Sequence, residues 1–206
     1  MGPENIEARK QYCLRAIRFE ENDLCFVDET GFNLHTSRRR GRSRIGERAY
    51  RESVSQRGGN ISLCAAISPK RGLLHYKVKL GAFNSEEYVA FLRELFAEAA
   101  FQHRPHIVVQ DNAKFHKTAE VKEVYEEGRC QHQQEFIPPY SPQLNMIEEC
   151  WNKIKAYVKR LEKSDQASLL RLIDEAYSTV NVDDAKGWYR QLTRVYIECA
   201  AGKPLL

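Results

Sequence analysis

Two short apolar runs, each followed by an aspartate, restrict the folds open to this chain more than any other feature of its sequence. Residues 24–27 (LCFV) come directly before Asp28, and residues 106–110 (HIVVQ) come directly before Asp111. Short continuous apolar runs are typical of strands buried on both faces, and such strands need helices on both sides of their sheet. The sequence therefore predicts an α/β fold with an acid at the end of each of two strands.

The remaining hydrophobic patterns predict further strands and helices in a definite order. Two segments rich in β-forming residues flank a Pro-Lys-Arg-Gly turn, which predicts an antiparallel hairpin. Apolar residues at helical spacing predict helices before and after the second acidic strand. The predicted strands cover residues 24–27, 61–68, 72–80, 106–111 and 134–137, and the predicted helices cover residues 4–20, 84–100, 117–127, 147–161, 166–180 and 183–199. This is the element order of a ribonuclease H-like fold, a mixed five-stranded sheet flanked by helices.

Charge is distributed unevenly along the chain. The net charge is +4, but residues 38–57 hold eight arginines against two glutamates. This local excess of positive charge indicates a polyanionic partner. The six cysteines form no C-x-x-C pair, which argues against a disulfide framework or a cysteine zinc site and favours reduced, intracellular thiols. No apolar run approaches the length of a membrane span and no secretory leader is evident, so we expect no membrane partner.

Three acids at one sheet edge would form a site for hard divalent cations. If the strands before Asp28 and Asp111 lie side by side, their ends bring the two aspartates together. The helix predicted from residue 147 can place Glu148 at the same edge. Ligand sets made only of oxygen suit Mg²⁺ or Mn²⁺, and two such ions can stabilise the attacking and leaving oxygens of a phosphodiester.

Each of these acids also has a purely structural interpretation. Asp28 can be a solvated strand end, and Asp111 can form an Asx turn. Glu148 lies three residues after Asn145, which is the spacing of a helix capping box. Glu149 lies about 100° further round the same helix and is the alternative third ligand. The spacings by themselves leave both interpretations open.

The residues around the three acids resemble the signature blocks of mariner-like DDE transposases. The segments are FVDETGF at residues 26–32, VQDNAKFH at residues 109–116 and PPYSPQLNMIEECW at residues 138–151. Residues 40–49 (RGRSRIGERA) are similar to a stretch of the bacterial insertion-sequence branch and its eukaryotic relatives. The resemblance extends over about residues 24–161.

This resemblance implies a fold, a site and an activity. It places Asp28, Asp111 and Glu148 at the three metal-ligating catalytic positions of an RNase H-like domain. That domain is expected over residues 21–206, with C-terminal helices, after an N-terminal helix and linker over residues 1–20. The resemblance further implies hydrolysis at transposon ends that depends on Mg²⁺, with Mn²⁺ as a substitute and two ions bound. Attack of a 3′-hydroxyl on target DNA, usually at a TA step, would follow.

Two residues and one region depart from the family pattern. Met146 stands where proline is usual, and Glu149 stands where asparagine is usual, but neither change removes an acid of the triad. The helix-turn-helix region that recognises transposon ends in the family is not evident in the sequence. We therefore expect an isolated catalytic domain, a truncation or a domesticated gene product. The alternative functions are a DNA-binding or protein-interaction module without transposition, and a nuclease that acts on RNA–DNA hybrids.

The implied partner is DNA, both transposon ends and target duplex, bound by a homodimer in the nucleus of a eukaryote or in the cytoplasm or nucleoid of a bacterium. His116 matches the family histidine, and it either contacts DNA, supports Asp111 or is a structural histidine with satisfied hydrogen bonds at the start of a helix. Lys155 shares the helical face of Glu148, since residues seven apart align. The residues expected to contact DNA are Arg38, Arg39, Arg40, Arg42, Arg44, Arg48, His116 and Lys155.

Overall fold

Residues 3–35, 42–50, 58–127 and 131–203 are described by the structure, which is a computed structural model. The strands are β1 (Leu24–Phe32), β2 (Ile61–Ser68), β3 (Gly72–Leu80), β4 (Ile107–Gln110) and β5 (Gln133–Phe136). The helices are α1 (Pro3–Ala16), α2 (Ser85–Ala97), α3 (Ala119–Glu126), α4 (Ile147–Arg160), α5 (Gln166–Ser178) and α6 (Val182–Ala200). Among the residues described, no helix is long and apolar enough to cross a membrane.

The five strands form one mixed sheet in the order β3-β2-β1-β4-β5. The first three strands along the chain are antiparallel neighbours, whereas β4 and β5 run parallel to β1. The order of strands and helices agrees with the sequence prediction, and most helix ends agree to within a few residues. Short 3₁₀ helices over Glu21–Asp23, Ala99–Phe101, Lys114–Lys117 and Pro142–Leu144 complete the connections.

The strand β1 is longer than the sequence predicts. We expected it to end at Asp28, but it continues to Phe32 because β2 pairs with it from Phe26 to Phe32. Its parallel pairing with β4 reaches only Phe26. Asp28 therefore lies within β1 at a level where the neighbouring strand β4 has already ended, and this leaves space beside Asp28.

Side chains alternate across β1 and so contribute to two separate cores. Leu24 and Phe26 belong to the core formed with α1, α4, α5 and α6, whereas Cys25 and Val27 belong to the core formed with α2 and α3. All four side chains are fully or almost fully buried, as the apolar run predicts. The same alternation places Asp28 on the α4 side of the sheet and the next residue on the α2–α3 side.

The N-terminal helix α1 packs against α6 as part of the first core. The Tyr12 and Tyr196 rings meet edge to face with centroids 5.9 Å apart. Two apolar residues within the predicted range of this helix, Leu14 and Ile17, are 40% and 44% exposed. The helix ends at Ala16 rather than near residue 20.

Candidate functional site

The register of the parallel strands brings Asp28 and Asp111 to the same level. Phe26 on β1 pairs with Val109 on β4, so the residues two places further along are the two aspartates. Asp28 still lies within β1, whereas Asp111 begins the loop after β4. The condition on which the sequence argument depended, two acidic strands side by side, is therefore met.

The two aspartates line one pocket of about 400 Å³ together with Glu148. Residues 137–142 form another wall, and Asn145 lies between that loop and the start of α4. Glu149, the alternative to Glu148, is not among the lining residues. The structure thus brings together the three acids that the sequence singled out.

Asp28 is a mostly buried acid with one strong hydrogen-bond donor. Its Oδ2 accepts a hydrogen bond of 3.1 Å from the indole Nε1 of Trp151 on α4. Burial, together with the nearby carboxylates of Glu29 and Glu148, raises the pKa of Asp28 to about 7 although the Trp151 bond acts in the opposite direction. Asp28 is therefore not a solvated strand end.

Glu148 does not form the capping box that its spacing allows. The helix α4 begins after Met146, whose side chain does not cap it, and Oδ1 of Asn145 accepts from the Ile147 N–H at 3.3 Å. The Asn145 N–H, which Glu148 would accept from in a capping box, donates to the Pro142 carbonyl at 2.8 Å instead. The carboxylate of Glu148 lines the pocket, where burial raises its pKa against the opposing effect of Lys155.

Asp111 both shapes its loop and lines the pocket. Its Oδ1 accepts from the Ala113 N–H at 2.9 Å, which is the Asx turn that the sequence allowed. The same oxygen lies 2.9 Å from Nδ1 of His116. This contact with His116 lowers the pKa of Asp111 below its ordinary value, in spite of partial burial. The structural and the chemical interpretations of Asp111 are therefore compatible.

Comparison with protein families gives a match to the DDE superfamily endonucleases over residues 23–171. This chain belongs to that family. The matched segment contains all three pocket acids, and it ends within α5. No curated protein sequence matches the chain.

Solved structures similar to this DDE domain include several of the Mos1 mariner transposase. The Mos1 catalytic domain aligns with a TM-score of 0.73 and 17% identity, covering 100% of this chain and 98% of that one. The Mos1 paired-end complex with Mn has a TM-score of 0.79 and 20% identity, covering 100% and 65%. The Mos1 strand transfer complex has a TM-score of 0.79 and 19% identity, covering 100% and 64%. At these identities the likeness shows the fold, and it confirms the ribonuclease H-like architecture.

The present DDE chain is shorter than the transposases in those DNA complexes. It spans 62–65% of the length of the Mos1 chains in the paired-end and strand transfer complexes. It spans almost all of the isolated Mos1 catalytic domain.

The donor set of this DDE pocket suits a divalent cation. Within the part of the chain that the structure describes, no three His, Cys, Asp or Glu side chains already converge as a closed ligand cluster. The three pocket acids nevertheless offer only carboxylate oxygens, and mutual repulsion contributes to the raised pKa of Asp28 and of Glu148. A divalent cation would neutralise that repulsion, so these residues fit Mg²⁺ or Mn²⁺.

Lys155 is a basic residue whose charge interacts with two of the pocket acids, Glu148 and Asp28. It is half-buried on α4, and its Nζ lies 5.9 Å from the centre of the Phe32 ring. Burial lowers its pKa, while Glu148 and Asp28 attract the charged form. Lys155 is not among the residues that line the pocket, so its charge acts on the acids from outside the lining.

The other residues expected to contact DNA differ in exposure and in whether the structure describes them. Arg42, Arg44 and Arg48 are exposed, as a DNA-contacting segment requires. Arg38, Arg39 and Arg40 lie outside the described residues. His116 is 0% exposed, so a direct contact with DNA is excluded in this structure. Its contact with Asp111 agrees with the alternative, that it supports that acid.

Sequence reasoning missed Arg9, which lies outside the family-matched segment. Its guanidinium is buried, and it donates from Nε to Ser141 Oγ at 2.8 Å and from Nη2 to the Tyr140 carbonyl at 2.6 Å. Tyr140 has φ 55°, a left-handed conformation that is uncommon outside glycine. Arg9 thus holds in place the loop that forms one wall of the pocket. A charged residue on the buried face of α1 was the only available signal.

The raised pKa of Asp28 predicts a pH-dependent stability in EDTA. The folded protein keeps a proton on Asp28 up to a pH of about 7, whereas the unfolded chain loses it near the ordinary value of 3.8. The free energy of unfolding is therefore expected to fall as pH rises between these values, by about 2–4 kcal/mol from this group. Denaturant titrations at pH 5 and pH 8 should show a larger loss in the native protein than in Asp28→Asn, where only the other groups with raised pKa values, such as Glu148 and His116, still contribute.

A suitable control for the pH experiment is Asp183→Asn, because the Asp183 side chain is 91% exposed. This variant should keep the native pH dependence. The same pH dependence in native protein and Asp28→Asn would contradict the prediction.

Proposed function

We propose that this chain is the catalytic core of a DDE transposase that cleaves DNA strands and transfers them with the help of divalent metal ions. The observation that supports this most is the meeting of Asp28, Asp111 and Glu148 in one pocket. These acids come from three separate sequence blocks, each of which also resembles its counterpart in mariner-like transposases. Membership of the DDE endonuclease family agrees with this function.

In this proposal the three acids hold Mg²⁺ or Mn²⁺, two ions in the active complex. Such ions, when bound, activate the attacking oxygen and stabilise the leaving oxygen of a phosphodiester. The protein's own groups orient the ligands: the Trp151 indole holds Asp28, and His116 holds Asp111. In the same proposal Lys155, whose charged form Glu148 favours, contacts a phosphate oxygen and offsets the negative charge of the DNA backbone.

The proposed substrate is duplex DNA, comprising transposon ends and target. The similar Mos1 structures include a paired-end complex with Mn and a strand transfer complex. Pairing of two ends is the basis for proposing a homodimer in the active complex. A DNA substrate also requires the protein to act where DNA is, in a nucleus or a nucleoid.

The experiment that tests this function is an assay of nicking and strand transfer on labelled duplex DNA with a pre-exposed 3′ end. Such an end bypasses the need to recognise a particular transposon terminus. Activity is expected with Mg²⁺ or Mn²⁺ and none is expected in EDTA. DNA binding without metal-dependent cleavage would contradict the proposal and favour a domesticated binding module. Preferential cleavage of an RNA–DNA hybrid in competition would favour a nuclease of the hybrid-specific class.

The exposed arginines of residues 42–50 are expected to contribute to DNA affinity. Changing Arg42, Arg44 and Arg48 to glutamate should weaken binding and lower the slope of log affinity against log salt by about 2–3, since each phosphate contact contributes about 0.9 to that slope. Fluorescence anisotropy at several salt concentrations measures this slope.

The matched control changes three exposed arginines on α5 and α6 to glutamate: Arg171, Arg190 and Arg194. This control alters the net charge by the same amount and should leave the slope nearly native. If the slope of log affinity against log salt is equal in the two triple variants, residues 42–50 do not belong to the DNA interface.

A further inference from the structure

Glu29 lies directly after the pocket acid Asp28 but on the other side of the sheet. Its carboxylate does not line the pocket. In β1 it is paired with Cys64 of β2, whose Sγ lies 3.5 Å from Glu29 Oε1. The same Oε1 lies 3.1 Å from Nε2 of His116. Glu29 is thus an acid among largely apolar neighbours, with a histidine as its cationic partner.

His116 connects Glu29 to the pocket. Its ring is fully buried against the Tyr88 ring, with centroids 4.3 Å apart. One ring nitrogen meets Glu29, and the other meets Asp111 Oδ1 at 2.9 Å. Ionised carboxylates only accept hydrogen bonds, so this bridge requires both ring nitrogens to donate. The imidazole is then a buried cation that needs a carboxylate on each side.

This bridge determines which oxygen of Asp111 is available. Oδ1 is engaged by both His116 and the Ala113 N–H. Oδ2 is then the oxygen without a hydrogen-bond partner among the described residues, on a side chain that lines the pocket. Carboxylates that ligate metals are typically held by such outer hydrogen bonds, which fix their orientation.

Stability is a weak reason for such an arrangement. A buried set of charges pays a desolvation cost that often equals its attraction, and apolar side chains of similar size frequently stabilise a protein as much. Glu29 does not line the pocket, because alternation along β1 places it on the other side of the sheet, although its charge still acts on Asp28. What the bridge does provide is a fixed link from β1 to the carboxylate that follows β4.

We propose that Glu29 is a positioning residue for the metal site: acting through His116, it holds Asp111 in the orientation that binds the divalent ion. Glu29 itself touches neither metal nor DNA. This inference rests on the proposed function, since it assigns Asp111 to the metal. It goes further in that it extends the working site to the opposite side of the sheet.

The test is Glu29→Gln, which keeps a hydrogen-bond acceptor and removes the charge. Binding of Mn²⁺ to the DNA-free chain is measured by calorimetry or by loss of the free-ion electron paramagnetic resonance signal. The dissociation constant is expected to rise about 10–100-fold, as for other residues that orient metal ligands. Nicking should require more metal, and the rate at saturating Mn²⁺ should largely recover. A role confined to stability would instead lower the melting temperature without moving the metal dependence.

Glu135→Gln is the matched control. Glu135 is also a partly buried strand glutamate with a cationic partner, Arg15 at 3.0 Å, but it does not line the pocket or contact Asp111. The Mn²⁺ dissociation constant of Glu135→Gln should equal that of the native protein. A second comparison uses His116→Gln: if Glu29 acts through His116, adding Glu29→Gln to that variant should change Mn²⁺ affinity little further. Should His116→Gln fail to fold, the single Glu29→Gln measurement still decides.

The outcomes separate this inference from the proposed function. If Asp111→Asn abolishes Mn²⁺ binding while Glu29→Gln binds like the native chain, the role of Glu29 is refuted and the metal site stands. If native Mn²⁺ binding does not depend on Asp111, both the proposed function and the role of Glu29 are refuted. A rise in the dissociation constant for Glu29→Gln but not for Glu135→Gln supports the inference.

Discussion

Replacing Asp111 with asparagine is expected to lower metal-dependent DNA cleavage by about a thousandfold or more while leaving DNA affinity unchanged or higher. Metal ions contribute several kcal/mol of transition-state stabilisation, and about 4 kcal/mol corresponds to a factor of roughly a thousand in rate. Affinity should not fall, because the neutral amide removes repulsion between a carboxylate and the phosphates. Single-turnover nicking at saturating protein measures the rate, and anisotropy measures the affinity.

The same loss is expected for Asp28→Asn and for Glu148→Gln, because all three acids line the pocket. The informative control is Glu149→Gln. Glu149 is the next residue on α4, with a similar partial burial, but its carboxylate accepts from Asn152 at 3.4 Å and does not line the pocket. It should retain cleavage within a few-fold. Mg²⁺-dependent nicking by Asp111→Asn, or loss of nicking in Glu149→Gln alone, would contradict the assignment of the acids.

Replacing Trp151 with alanine is expected to lower the free energy of unfolding by about 3–5 kcal/mol, the usual cost of removing a large aromatic side chain from a core. Trp151 is 2% exposed and belongs to the core between the sheet and α4–α6. The substitution also removes the Nε1 donor from Oδ2 of Asp28. Denaturant unfolding at fixed pH in EDTA measures the change.

Two further variants separate packing from the hydrogen bond. Trp188→Ala is the control, since Trp188 is only partly buried at the edge of the same core and should cost clearly less. Trp151→Phe keeps most of the packing but removes the donor that lowers the pKa of Asp28. It should reduce cleavage more than its modest loss of stability explains. A Trp151→Ala protein as stable as Trp188→Ala would show that the indole does not anchor this core.

Local sequence patterns were sufficient to predict the elements of the fold. Apolar runs located the buried strands, and helical periodicity located α2 and α4, because burial on one or both faces leaves a direct imprint on residue order. The extent of β1 was not predictable in this way. Its continuation to Phe32 depends on pairing with β2, which lies about thirty residues further along the chain.

The three pocket acids show the same difference between what local sequence predicts and what contacts between distant segments decide. Sequence blocks identified Asp28, Asp111 and Glu148, but spacing could not decide between catalytic and structural interpretations. The register of β1 against β4 placed the two aspartates level, and the start of α4 after Met146 left Glu148 free of a capping role. These features depend on contacts between distant segments, which local patterns do not record.

The positions of Glu29, His116 and Arg9 belong entirely to the tertiary structure. Alternation along β1 predicts that Glu29 points away from Asp28. Only the packed fold shows that His116 lies between the carboxylates of Glu29 and Asp111. Arg9 reaches a loop about 130 residues away, because α1 packs beside it. Residue types and their order therefore determined the fold class and the three candidate acids. The arrangement that orients those acids arises from long-range packing and from the charges that it buries together.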